Sequence, residues 1–335
     1  MSANPSPHAA GGLSTPLHVL VGVLALLLAV FPLLPEAIAT PYNLGLLTQM
    51  MILAIFAMSL DLLLGVTGLV SLGHAGFFGL AGYVLALVMP QTEPVSLFWS
   101  LPLAVAVSAL AALLIGFLVV RTHGIYFIMV TLAFSQMLFF IFHDNKPLGG
   151  SDGLYVNFKP TVTVGGVELL NLDHKATLYW FTWAAFVAVY VFLRRLLASP
   201  FGRALSGIKV NDHRMRAMGF GTFGYKLAAF TLGGALAGLA GYLWGVKTGY
   251  INPELMGFHL SAHAIMMVIL GGFGHIAGAA MGAFAFEYLI HLYKDLTKHW
   301  QLLMGGTIVL LVLFAPRGIL GLLQSGLARL GNRKP

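Results

Sequence analysis

The chain has 335 residues, of which 59% are hydrophobic and 9% charged, and it contains no cysteine. Soluble domains carry about 25% charged residues, so this composition and a mean hydropathy of +0.89 exclude a globular fold in water. The missing cysteines exclude disulfides and thiol-based redox or metal chemistry. The formal charge of +7 points to membrane orientation and not to nucleic acid, because basic residues in such chains mark the loops on one side.

A helix needs roughly 20 apolar residues to cross a bilayer, and long unbroken apolar runs argue against a β-barrel, whose strands alternate in polarity. The expectation is therefore an all-α, polytopic transmembrane bundle. Hydropathy places about ten spans at 17–35, 44–65, 69–90, 97–120, 124–142, 176–193, 226–246, 259–273, 276–292 and 302–316, with eight as the lower alternative. The first run is followed by Ala37-Ile38-Ala39, which resembles a signal-peptidase site, but residues 1–16 lack the basic flank of a signal peptide. An uncleaved first span is expected. The third and eighth spans are rich in glycine and are candidates for broken or re-entrant helices.

Ten spans put Arg121, the segment 194–226 and the tail on one side. That side then carries twelve of the eighteen Lys and Arg residues and is read as cytoplasmic. The layout becomes a tail at 1–16, a transmembrane body at 17–316, an outer loop at about 143–175, an inner loop at about 194–226 and a tail at 317–335. The outer loop contains Gly149, Gly150, Ser151, Asp152 and Gly153, a pattern for tight turns, followed by β-like alternation at Val162, Val164 and Val167.

Small residues recur at helix-packing spacing. Gly73, Gly76, Gly79 and Gly82 mark the third span, Gly234, Gly238, Gly241 and Gly245 the seventh, and Gly274, Gly278 and Gly282 the eighth and ninth. The peptide Gly-Leu-Ala-Gly-Tyr occurs at 79–83 and again at 238–242. Asp61 and Glu287 are acids inside spans and could couple transport to an ion. His259 and His263 share a helix face at metal-ligand spacing, but the glutamate of an HExxH site is missing, because the following residue is Leu260. No metal site is expected. No phosphate-binding loop is present either, since Val246 separates Gly245 from Lys247.

The inner loop stands apart in composition. Arg194, Arg195, Arg203, Lys209, Arg214, Arg216 and Lys226 face a single acid, Asp212. It is either a topological anchor or a docking surface, and the docking reading assigns Asp212 as the N-cap of a short helix. Ala217 and Gly219 leave room for close approach, and Arg214 and Arg216 supply charge for an acidic groove.

Four stretches carry a resemblance to a known family. They are Gly68-Leu-Val-Ser-Leu-Gly-His-Ala-Gly-Phe-Phe-Gly79, Gly149-Gly-Ser-Asp-Gly-Leu154, the run from Gly202 through Gly219 to Gly241, and Ile269-Leu-Gly-Gly-Phe-Gly-His-Ile-Ala-Gly278. Together they resemble the LivH/LivM family, permeases of bacterial branched-chain amino acid ABC importers, and the long outer loop is more similar to the LivM branch.

The resemblance implies an inner-membrane transport subunit, not an enzyme, that binds no cofactor of its own. Its partners would be a homologous second permease, two cytosolic ATPases that use ATP, and a periplasmic substrate-binding protein. Arg203, Asp212, Arg214, Arg216, Ala217 and Gly219 would couple to the ATPases, and Gly150, Ser151 and Asp152 would lie on the side of the binding protein. Ser71, His74, Phe77, Phe78, Gly271, Gly272 and Gly274 are candidates for lining or gating the path. A permease for urea or short amides, an ion-coupled carrier using Asp61 and Glu287, and an intramembrane enzyme at His259 and His263 are the alternatives.

Overall fold

The structure is a computed structural model that describes residues 14–35, 39–90, 94–164, 167–314, 318, 319 and 321. Most of the expected terminal tails lies outside the described residues, including Arg317, Arg329, Arg333 and Lys334. The helices in chain order are α1 (Ser14–Val30), α2 (Pro41–Asp61), α3 (His74–Val88), α4 (Leu97–Val119), α5 (Ile125–His143) and α6 (Lys175–Ala198). They continue with α7 (Pro200–Val210), α8 (Asp212–Ala217), α9 (Thr222–Thr248), α10 (Phe258–Gly271), α11 (Ile276–Leu296) and α12 (Trp300–Phe314). Each expected span coincides with one apolar helix, and the inner loop supplies α7 and α8.

Among the described residues, six helices are long and apolar enough to cross a membrane: α2 with its extension to Thr67, α4, α5, α6, α9 and α11. The apolar helices α1, α3, α10 and α12 are shorter. At a rise of 1.5 Å per residue, α3 and α10 reach only about 22 Å against a hydrocarbon core of about 30 Å. Both glycine-rich spans are thus partial helices, preceded by non-helical chain at 68–73 and by a segment at 249–257 that contains a short strand and a 3-10 turn, Pro253–Met256. Within the second of these, Met256 lies where a side chain on Gly79 of α3 would have to go. The chain after α9 therefore folds back into the bundle before α10 begins.

α2 is the axis of the bundle. Residues Met50 through Leu63 are buried without interruption, because α2 is surrounded by α6, α9, α10 and α11. A helix that is apolar on all sides belongs in such a place. Around it, glycines let backbones approach. A side chain on Gly241 of α9 would strike the Phe78 carbonyl of α3, so the two copies of Gly-Leu-Ala-Gly-Tyr lie on helices packed against each other. On α9, Gly234 faces Ala112 and Gly238 faces Ser108, both of α4. Gly271 and Gly278 bring the α10 and α11 backbones together.

The outer-loop segment adds short strands to a helical protein. The strand β1 (Leu154–Tyr155) pairs antiparallel with β4 (Tyr250–Ile251), which follows α9. Between them in sequence, β2 (Thr161–Val164) and β3 (Val167–Asn171) form a hairpin with a register shift between Val162 and Thr163. Gly149, Gly150 and Gly153 all adopt positive φ, at 95°, 55° and 72°, which is the conformation a tight turn asks of glycine. Gly153 also lies so close to Ile251 that no side chain fits. The turns at Gly149, Gly150 and Gly153 form as these residues imply.

The close contacts can be tested in the purified protein. Gly241→Ala is expected to destabilise the bundle by about 1–3 kcal/mol, the usual range for overpacking. Gly305→Ala in α12, where nothing lies within 4 Å, should be neutral or slightly stabilising. Thermal unfolding in detergent distinguishes the two; equal melting temperatures would contradict this packing.

Candidate functional site

The basic segment forms two helices at one end of the bundle. α7 buries Gly202, Ala204, Leu205 and Ile208, so it is anchored to the core, with Arg203 and Lys209 outside that face. α8 buries no residue. His213, Arg214 and Ala217 on it are exposed, as are Met218, Gly219 and Phe220 after it. A helix that buries nothing within its own chain presents its surface outward.

The cap of α8 differs from the expectation. Asn211, and not Asp212, is the N-cap: its side chain accepts the Arg214 backbone N–H at 2.9 Å. Asp212 is the first helical residue, and its carboxylate accepts from Arg216 at 2.6 Å and from Lys226 at 3.2 Å. Arg216 also donates through Nε to Thr222 Oγ1 at 2.9 Å. Arg216 is therefore engaged in holding the loop, while Arg214 has no side-chain partner among the described residues. Gly219 has a φ of 87° and open space beside it, so its requirement is backbone conformation. Gly221 and Gly224 have equally open surroundings without positive φ. Together with Arg121, His123 and Lys226 they border a concavity of about 710 Å³.

α7 reaches the core through Lys209. After Asp61, α2 widens into a π-helical turn, Leu62–Thr67, which ends at Gly68 with a φ of 75°. The last carbonyls of a helix have no partner within it, and Lys209 Nζ donates to the Gly65 carbonyl at 2.5 Å. On the same turn Asp61 is fully buried, and its Oδ1 accepts the Gly274 N–H at 2.8 Å. Gly65 lies against Gly274 so closely that a Cβ would collide with it. Asp61, Gly65, Lys209 and Gly274 thus join α2, α7 and the α10–α11 turn at one point.

The expected path residues lie in the interior of this chain. Ser71, His74 and Phe78 are fully buried and Phe77 nearly so. The Ser59 hydroxyl donates to the Phe56 carbonyl at 2.7 Å, so His74 Nε2 is the donor to Ser59 Oγ at 2.8 Å. His74 also stacks on Phe56, while its Nδ1 is buried without a partner among the described residues. Ser71 Oγ has none either. Gly271 and Gly274 serve close helix contacts, and Gly272 has a φ of 106° at the end of α10.

A larger opening lies elsewhere. A cavity of about 740 Å³ is bounded by α5, α9 and α10 and by the segment between the last two. Phe139, Trp244 and Phe258 give it aromatic walls, and Gln136, Asn252 and Glu254 give it polar groups. His259 and His263 also face it. Among the described residues, no three His, Asp or Glu side chains converge as a metal site would require. Gln136 and Asn252 could not be picked out beforehand, because nothing in a lone amide within an apolar run distinguishes lining from packing. The turn with Gly150, Ser151 and Asp152 is adjacent, since Tyr250 donates to the Asp152 carbonyl at 2.7 Å. Ser151 and Asp152 are exposed and Gly150 is buried.

Asp61 and Glu287 do not share a site. Glu287 accepts from Gln49 Nε2 at 2.6 Å, and Gln49 lies twelve positions before Asp61 on α2. That separation is about 18 Å along the helix.

Burial works against the Asp212 carboxylate. Hydrogen bonds from Thr222 and Lys226 and the charges of Lys226 and Arg216 outweigh it and hold its pKa below the ordinary value. A carboxylate lowered in the folded state stabilises fully above its unfolded pKa, and loses that contribution as pH falls through the folded one. Asp212→Asn is therefore expected to speed amide exchange across residues 211–222 at neutral pH. The wild-type segment should loosen only below the ordinary carboxylate range. Identical exchange in the two proteins would show that the ion pairs do not order the loop.

Comparison with known proteins agrees with this architecture. Residues 42–313 match the family described as branched-chain amino acid transport system / permease component. The chain is 30% identical over 312 residues to the high-affinity branched-chain amino acid transport system permease protein LivM of Salmonella typhimurium, covering 86% of this chain and 73% of that protein. It is 29% identical over the same length to LivM of Escherichia coli, again covering 86% and 73%. The permease LivH of Salmonella typhimurium is 31% identical over 155 residues, 44% of this chain and 47% of LivH. No solved structure matches. Six long apolar helices, the short glycine-rich helices and a match over most of the length place this chain in the branched-chain amino acid transport permease family.

Proposed function

We propose that this protein is a membrane-spanning subunit of an ATP-binding cassette importer for branched-chain or related amino acids. It would work with a second, homologous permease, two ATPase subunits on the inner face and a binding protein outside. The observation that carries the reading is α8, a basic helix that buries nothing within its own chain and is tied through α7 to the core. A surface of this kind fits a partner that delivers force from ATP hydrolysis, and the chain has no phosphate-binding loop of its own.

The end of the bundle carrying Arg121, Lys209, Arg214, Arg216 and Lys226 is then cytoplasmic under the positive-inside rule. The opposite end carries Lys159, Lys175, Lys247 and Lys294. All ten apolar helices would lie within the bilayer, with α3 and α10 as half-length elements whose non-helical flanks are shielded by protein. Cargo would move along a face shared with the second permease, and the 740 Å³ cavity with its aromatic walls and few polar groups suits an amphipathic amino acid. Asp61 in this reading is a structural acceptor for Gly274, not a carrier of protons or ions.

In proteoliposomes containing the complete complex, Arg214→Glu and Gly224→Trp should each lower ATP-driven uptake by about tenfold or more while the protein elutes and melts as wild type. Gly224 is the better site for a bulky probe, because its backbone conformation is open to any residue. Normal uptake in both variants would remove α8 and the adjoining concavity from the coupling surface. Asp61→Asn should retain ATP-driven uptake, whereas its abolition in a correctly folded protein would favour an ion-coupled carrier.

A further inference from the structure

At the end of the bundle opposite α8, a pocket of about 440 Å³ opens where α2 and α6 begin and α9 and α11 end. Its wall carries Lys159, Lys175, Lys247 and Lys294 against one carboxylate, Glu287, with His291 beside them. The floor is a hydrogen-bonded chain. Lys247 Nζ donates to the Gln49 carbonyl oxygen, and the Gln49 amide donates to Glu287 Oε1 at 2.6 Å. Glu287 is 9% exposed and is therefore satisfied from below by the amide. Toward the mouth, Tyr42 Oη lies 2.9 Å from His291 Nε2.

The charges at the mouth are not balanced. Lys159 pairs with the exposed Asp173 at 3.4 Å, and His291 lies 3.8 Å from the exposed Asp295. Lys294 rests over the Trp300 ring at 5.1 Å. Lys175 has no ion-pair partner among the described residues. Four ammonium groups against Glu287 inside and Asp173 and Asp295 at the mouth leave the concavity net positive, and lysine is a compact donor suited to oxyanions. All four helices have an end here.

We propose that this pocket binds a phosphate-class oxyanion, with Lys175 and Lys294 as its rim donors and Lys247 as its deep one. The phosphate can come from an anionic phospholipid headgroup or from free phosphate, and both make the same charge-assisted hydrogen bonds. Its occupation would tie the starts of α2 and α6 to the ends of α9 and α11.

Lys175 and Lys294 are exposed, so Lys175→Gln with Lys294→Gln removes rim charge without disturbing the core. Delipidated full-length protein is titrated with phosphatidylglycerol, with phosphatidylcholine and with inorganic phosphate, and bound species are counted by native mass spectrometry. The lipid source predicts saturable phosphatidylglycerol binding that weakens about tenfold in the double variant and with added salt, while phosphatidylcholine does not discriminate. The free-ion source predicts phosphate binding to wild type that is lost in the variant, with no discrimination for the glycerol lipid. Equal binding of both ligands by wild type and variant overturns the proposal. So does an equal loss in Lys298→Gln, which lies near the same end but outside the pocket.

Discussion

The constraint on which this structure depends is the burial of α2 from Met50 to its C-terminal end. A helix with no water beside it must have its backbone groups satisfied by protein, and at its C-terminal turn the helix cannot do this alone. The π-helical turn at 62–67 leaves the Gly65 carbonyl pointing outward, and Lys209 of α7 supplies the donor. One turn earlier, Asp61 takes the N–H of Gly274 from the link between α10 and α11. One backbone acceptor of the central helix is thereby met from α7, and one backbone donor of the α10–α11 turn is met from the central helix. These two bonds tie α7 and the α10–α11 turn to the C-terminal end of α2.

The division between rigid and open regions follows from this. Around α2, glycine contacts fix helices at backbone distance, and there His74, Phe77 and Phe78 are buried in the packed interior. By contrast α4 and α5 expose long apolar faces, including Leu110, Leu114, Ile125, Tyr126 and Met129. These apolar faces are uncovered within the chain. The large cavity lies between α5, α9 and α10, at the border between the packed centre and an exposed face.

Much of the fold was legible in the sequence, because apolar runs and their interruptions are physical requirements of a bilayer. Each expected span contains one helix, and the glycine-rich runs 69–90 and 259–273 contain the shortened α3 and α10. Other features depend on partners distant in sequence and could not be read locally. The Lys209 to Gly65 bond spans 144 positions and the Gly274 to Asp61 bond 213. The β1–β4 pairing joins an outer loop to the end of α9, where neither segment alone is long enough to signal a strand. At α8, Asn211 and Asp212 are both good caps, and the choice was decided by Arg216 and Lys226, which hold the aspartate inside the helix. The cluster around His74 is buried within this chain, and small and aromatic residues of this kind serve close packing as well as they serve a path, so local sequence does not separate the two.

The central claim is that force applied at α8 reaches the core through Lys209. Its most direct test compares ATP hydrolysis with uptake in the reconstituted complex carrying Lys209→Met, which keeps the aliphatic stem against Gly68 and removes the donor to Gly65. The account predicts that hydrolysis continues while uptake per ATP falls by about tenfold, a loss of roughly 1.4 kcal/mol of coupling. Uptake per ATP equal to that of the wild-type complex would contradict it.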